Sequence, residues 1–88
     1  MKVLIIHALW CIGCIKTIPN LKEVLKNYSL ELKELDYDMD IEEVEKYSVG
    51  KVLPVIIIED ENNNEIARIS GEKNKSELQE FLESNLVK

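Results

Sequence analysis

The stretch Val3-Leu4-Ile5-Ile6-His7-Ala8-Leu9-Trp10-Cys11-Ile12-Gly13-Cys14 decides the architecture of this chain. Its first part is apolar and mostly β-branched, without alternation. That is the pattern of a strand covered on both faces, which belongs at the centre of a sheet with helices on either side. Its last part opens a periodic segment, Cys14 to Tyr28, in which Ile15, Ile18, Leu21, Val24, Leu25 and Tyr28 recur at helical intervals and Lys16, Lys22, Glu23 and Lys26 fill the opposite face. This segment is expected to be an amphipathic helix. Pro19 falls in its early part, where it removes a backbone donor and is expected to bend the helix. Both cysteines therefore sit where a central strand passes into a helix, the place where open α/β sheets put their ligands.

Downstream, Ser29 to Tyr37 alternates, with Leu30, Leu32, Leu35 and Tyr37 as apolar members, and predicts a second, less buried strand. Asp40 is placed to cap a short helix through Ile41, Val44 and Tyr47, with Glu42 and Glu43 in the first turn, and Gly50 is expected to end it. Val55-Ile56-Ile57-Ile58 is the most strand-like run, Asp60 to Asn64 a turn, and Glu65 to Ser70 its hairpin partner, broken by Gly71. A last helix opens at Asn74 or Lys75, with Leu78, Phe81, Leu82 and Leu86 as its apolar stripe. The order is β-α-β-α-β-β-α. A right-handed crossover makes the first two strands parallel and the hairpin extends the sheet on the other side, giving a four-stranded mixed sheet with helices on both faces.

Composition sets the limits. Eighty-eight residues bury only about 60–65 % of the surface of the unfolded chain, enough for one core, so residues 1–88 read as a single domain, and a monomer is expected. Eleven Lys and Arg against seventeen Asp and Glu leave a net charge of −6, which argues against nucleic acid and anionic lipid as partners. No run approaches the ~18 consecutive apolar residues of a membrane span, and the apolar start lacks a small-residue cleavage pattern, so the expected compartment is the cytoplasm.

The chain has two cysteines, Cys11 and Cys14. A disulfide across so short a loop removes little chain entropy, about 2 kcal/mol, and makes a poor structural staple. A closed metal site needs four ligands, and besides the two thiols only His7 is at hand, so a metal or Fe–S centre would have to be shared between two chains. Redox chemistry fits better. At the first turn of a helix the unpaired N–H groups and the positive dipole end favour the thiolate of Cys11 as nucleophile. Cys14, one turn on and less exposed, is placed to resolve the intermediate by closing a disulfide back to Cys11. Gly13 lets a substrate backbone come close. Trp10 adjoins the nucleophile, either flanking a substrate or packing. His7 is a packed strand residue or a proton acceptor. The acidic runs Asp36-Tyr37-Asp38-Met39-Asp40 and Glu59-Asp60-Glu61 read as solvated surface.

With these residues in view the chain resembles the thioredoxin family. Trp10-Cys11-Ile12-Gly13-Cys14 is similar to the family's Trp-Cys-Gly-Pro-Cys, and Pro19 stands five residues after the second cysteine, like the family's helix-bending proline. Leu53-Pro54 resembles its cis-proline loop, which faces the cysteines and helps hold an extended substrate segment through backbone hydrogen bonds. Gly71 and Lys75 to Leu82 are similar to its glycine and closing helix. The resemblance runs over nearly the whole chain from Val3, without the additional N-terminal strand and helix of full-length thioredoxins. It implies a thioredoxin-like core and a protein-disulfide reductase that needs no cofactor or metal. Trp10, Ile12, Gly13, Leu53, Pro54 and Gly71 would line the substrate groove. Disulfide-containing proteins would be the substrates and a thioredoxin-reductase-like enzyme the electron donor.

The departures also carry information. Ile5 stands where thioredoxins keep a buried acidic residue that helps deprotonate the resolving thiol, and Ile12-Gly13 replaces Gly-Pro between the cysteines. Glutaredoxins carry Thr-Val-Pro and Gly-Gly-Asp where this chain has Val52-Leu53-Pro54 and Ser70-Gly71-Glu72, so a glutathione-coupled reductase is the weaker reading. A non-catalytic module bridging a metal or Fe–S centre is the other alternative.

Overall fold

The computed structural model describes residues 1–28, 30–50 and 52–86, with the side chain of Leu86 outside that set. Seven elements follow in order: β1 Lys2–His7, α1 Ile12–Leu25, β2 Glu31–Asp36, α2 Ile41–Lys46, β3 Val55–Glu59, β4 Glu65–Ser70 and α3 Lys75–Leu86. The strands form one sheet in the order β2-β1-β3-β4, with β1 parallel to β2 and antiparallel to β3, and β3 antiparallel to β4. This is the mixed sheet that the strand order and the right-handed crossover imply.

Residues Val3 to Ile6 and Ile56 to Ile58 are wholly buried because β1 and β3 lie inside the sheet with helices over both faces. Side chains alternate across a strand, so each strand serves two separate cores. Val3, Ile5, Ile56 and Ile58 pack against Leu21, Val24 and Leu25 of α1 and Leu78 and Leu82 of α3. Leu4, Ile6, Val55 and Ile57 pack on the other face against Leu35, Val44 of α2 and both cysteines. Each fully buried aliphatic side chain contributes about 1.5–3 kcal/mol. The hairpin turns as its sequence demands: Asp60 Oδ1 accepts the N–H groups of Asn62 and Asn64 at 2.8 and 2.9 Å, and Asn63 takes a left-handed φ of 63°.

The structure corrects five expectations. Helix α1 starts at Ile12 and ends at Leu25 rather than spanning Cys14 to Tyr28. Ile15 is 63 % exposed, and Thr17 takes the core position instead. Helix α2 stops at Lys46, well before Gly50, since Ser48 already turns out of the helix at φ 52°. Asp40 occupies the N-cap position without capping: its Oδ2 accepts the Asp36 N–H at 2.8 Å. Glu59, read as solvated, is 3 % exposed, because the alternation of β3 turns it inward. Its Oε2 accepts the Tyr47 hydroxyl at 3.1 Å. Its Oε1 lies 3.5 Å from Lys2 Nζ, an ion pair that does not supply a hydrogen bond to that oxygen. Ser29, expected to open the second strand, and the Leu86 side chain of the last apolar stripe lie outside the described residues.

Candidate active site

Beyond the end of β1 the chain turns sharply, with the Cys11 N–H donating to the Ala8 carbonyl at 3.1 Å. Cys11 then serves as the N-cap of α1 in an extended conformation, and its Sγ accepts the Cys14 N–H at 3.2 Å. A sulfur thus takes the capping role usually filled by a hydroxyl or carboxylate oxygen, satisfying one of the orphan donors of the first turn. Both cysteines are buried, Cys11 at 8 % exposure and Cys14 at 1 %, so the first is the more accessible of the two. Burial pushes the Cys14 thiol up from 9.0 to about 12, reinforced by its hydrogen bond with Cys11 and opposed by a backbone hydrogen bond at Ala8.

Two loops close over this turn. The Leu53–Pro54 peptide is cis, and the Gly71 N–H donates to the Pro54 carbonyl at 2.9 Å. Gly71 has φ 91°, a conformation that L side chains rarely adopt. A Cβ added at Gly13 would lie 3.7 Å from the Leu53 carbonyl oxygen and 3.4 Å from the Glu72 Cβ, so both loops reach the residue between the cysteines. Thr17 Oγ1 accepts the Lys73 N–H at 3.1 Å, and Asn20 Nδ2 donates to the Lys73 carbonyl at 3.3 Å. These bonds fix the second loop to α1.

On the other side, Trp10 lies 62 % exposed but held. Its Nε1–H donates to Asp38 Oδ2 at 2.7 Å, and its ring meets Tyr37 edge to face at 6.3 Å between centroids. Asp36 Oδ1 accepts the N–H groups of Asp38 and Met39, fixing the turn that carries Asp38. The run read as solvated surface therefore does local structural work.

The structure brings Cys11, Cys14, Gly13, Leu53, Pro54 and Gly71 together, with Trp10 and the 70 % exposed Ile12 on the outside. Leu53 and Pro54 bury their side chains, so beside the cysteines they offer backbone rather than apolar surface. Exposed apolar side chains stand next to residues of this group in the chain, at Leu9, Ile15 and Val52, none of which was expected in the site. Leu9 and Val52 carried a usable signal, since each adjoins a motif residue without belonging to a core pattern. Among the described residues no group of three or more His, Cys, Asp or Glu is placed to hold a metal ion, and no helix is long and apolar enough to cross a membrane.

Comparison with known proteins gives a consistent picture. A sequence model described as Thioredoxin matches residues 2–84. Fasciola hepatica thioredoxin is 25 % identical, with a TM-score of 0.79 over 96 % of this chain and 81 % of that one. Thioredoxin 1 from the thermophilic eubacterium Thermosipho africanus is 23 % identical, with a TM-score of 0.84 over 98 % and 94 %. The reduced Schistosoma mansoni thioredoxin pre-protein is 21 % identical, with a TM-score of 0.84 over 97 % and 78 %. At these last two identities the likeness is one of fold. A search of curated proteins found no match.

Proposed function

This chain belongs to the thioredoxin family, a family of thiol–disulfide oxidoreductases, and on that footing we propose that it reduces protein disulfides through Cys11 and Cys14. The observation that carries the reading is the Cys11 sulfur at the N-cap of α1, taking the Cys14 N–H at 3.2 Å, with the second thiol buried behind it. The first turn of a helix offers unpaired N–H groups to a sulfur at that place, and the Cys14 N–H is one of them.

The Cys11 thiolate attacks one sulfur of the substrate disulfide, forming a mixed disulfide and releasing the other substrate sulfur as a thiolate that takes up a proton. Cys14 then loses its proton and attacks Cys11 Sγ. The Cys11–Cys14 disulfide forms, and the second substrate sulfur departs as a thiol. Two electrons and two protons pass from protein to substrate. A reductase of the thioredoxin-reductase kind returns them.

Trp10, Ile12 and Val52 supply apolar contacts to the partner in this scheme, while the Leu53–Pro54 backbone, Gly13 and Gly71 leave room for an extended segment to lie close. Ile5 sits wholly buried among Val3, Leu21 and other aliphatic side chains, so its position offers no proton acceptor to Cys14. Cys14 therefore gives its proton to solvent before it attacks, and the departing substrate sulfur takes one up from solvent.

Insulin reduction tests the proposal. Cys11→Ser should abolish turnover, and Cys14→Ser should accumulate a mixed disulfide with the substrate. Undiminished turnover in Cys11→Ser would refute the reading.

A further inference from the structure

Beside the Trp10 wall lies a cleft that the redox chemistry does not use. It encloses about 390 Å³ between the β2–α2 turn and α2, towards the small end of the roughly 300–1,000 Å³ typical of ligand clefts. Its floor is apolar, made by Tyr37, Ile41, Val44 and Val49, and its rim carries the carboxylates of Asp38 and Glu45. Ile41 is 54 % exposed there, apolar surface that no other part of the described chain covers. Neither Asp38 nor Glu45 pairs with a cation among the described residues.

The cleft is joined to the redox site by its own walls. Asp38 holds the Trp10 indole at 2.7 Å, and Tyr37 meets the Trp10 ring edge to face. Trp10 precedes Cys11 directly. A polypeptide bound at Cys11 and running past Trp10 therefore delivers a side chain into the cleft within a few residues.

We propose that this cleft is a specificity subsite that receives one lysine or arginine side chain of the disulfide-bearing partner. The proposal rests on the reading of Cys11 as the site where that partner is reduced. Lys and Arg lay an aliphatic stem along apolar surface while the charged head stays at the rim, which is the division of chemistry the cleft presents. A purely apolar side chain would strip water from Asp38 and Glu45 without compensation. An acidic one would be repelled by them and by the net charge of −6. Glu45 is the specificity-determining residue of the pair, because Asp38 is also engaged with Trp10.

Peptides with serine in place of the reactive cysteine test this, each carrying arginine or its uncharged isostere citrulline at successive positions on either side of the serine. They are titrated against the reduced protein while Trp10 fluorescence and the amide shifts of Ile41, Val44 and Val49 are followed. The arginine form should bind about threefold to tenfold tighter than the citrulline form at one position or two, with shifts centred on the cleft. Glu45→Gln should remove most of that preference, and Glu45→Lys should invert it. Glu45 is exposed, so both variants should fold normally. Equal binding of the two peptides, or a preference that survives Glu45→Gln, overturns the subsite. These peptides hold no disulfide, so the result is independent of turnover. Failure to reduce insulin would refute the redox reading, whereas insulin reduction without charge preference in the peptides would refute the subsite alone.

Discussion

The second chemical step should be limited by the proton on Cys14, and its pH dependence should show it. In the reduced protein this thiol titrates at about 12 against an ordinary 9.0. Three units make its thiolate about a thousandfold rarer at any pH below 9, about one molecule in 10⁵ at pH 7. Burial is the leading cause, followed by the hydrogen bond with Cys11 and the charge there. Once Cys11 is tied up in a mixed disulfide its charge is gone, but burial of Cys14 remains. The value then relaxes downward and stays above 9.0.

The resolving rate should accordingly rise about tenfold per pH unit from pH 7 to pH 9 and not level off in that range. Stopped-flow mixing of the reduced protein with a chromophoric aryl disulfide separates the two steps. The first release of the coloured thiolate reports attack by Cys11, and the second reports attack by Cys14. A plateau in the second phase near neutral pH would refute the argument from burial, because it requires a proton acceptor coupled to Cys14. If that plateau vanished in His7→Ala, the half-buried imidazole at the end of β1 would be the acceptor.

Three further outcomes are expected. Cys14 stays protonated in the folded chain at pH values where the unfolded chain has lost that proton. Unfolding therefore releases a proton between pH 9 and about 12, and the stability of the reduced form falls as pH rises through that window. The slope is about 1.4 kcal/mol per unit; Tyr47, pushed from 10.0 to about 12 mainly by burial, adds a loss of the same sign in its upper part. Urea unfolding of reduced and oxidised protein at pH 7 and pH 10 checks this, and parallel losses in the two forms would contradict it. At the far end of the sheet, Lys2→Ala leaves the buried Glu59 carboxylate uncompensated and should destabilise by about 1–3 kcal/mol, while Glu59→Leu should be neutral or stabilising. Insulin reduction should be unchanged in both, and thermal melts decide the pair. Gly71→Ala forces a Cβ into φ 91° and should cost about 1–2 kcal/mol, with no clash nearer than 3.8 Å to add to it; a melt unchanged from wild type would remove strain as the reason for glycine there.

Much of this molecule was legible in its sequence because burial and composition agree in the strands. Val3 to Ile6 and Val55 to Ile58 are unbroken apolar runs, and the sheet buries both on two faces. The cysteine spacing, the strand-to-helix transition and Leu53-Pro54 pointed to the candidate site for similar reasons: each is a local pattern whose geometry is fixed within a few residues. What escaped depends on partners far along the chain. Apolar periodicity favoured Ile15 for the core over Thr17. The helix turns Thr17 inward because its hydroxyl serves the Lys73 N–H, fifty-six residues away. Glu59 sits in a charged run, yet strand alternation gives it the same face as Val55 and Ile57, and Tyr47 and Lys2 make that tolerable. The early end of α2 at Ser48 rests on a left-handed φ at a residue with no glycine signal.

The two faces of the sheet divide the work unequally, and the helix lengths explain why. On one face α1 and α3, of 14 and 12 residues, bury Leu21, Val24, Leu25, Leu78 and Leu82 over β1 and β3. Every buried residue of that cluster is aliphatic. On the other face α2 has six residues and buries only Val44. The cover there is completed by Leu35, Leu53 and both cysteines, with Tyr37 and Tyr47 packed at the margin. A thinly covered face cannot exclude polar groups as a long helix does, and that is where the thiols, the inward Glu59, the Trp10–Asp38 bond and the open cleft all lie. Cys14, the resolving thiol of the proposed reaction, is therefore part of a core. The burial that packs it against that core is the same burial that holds its thiol above 9.0, in the reduced protein and in a mixed disulfide at Cys11 alike.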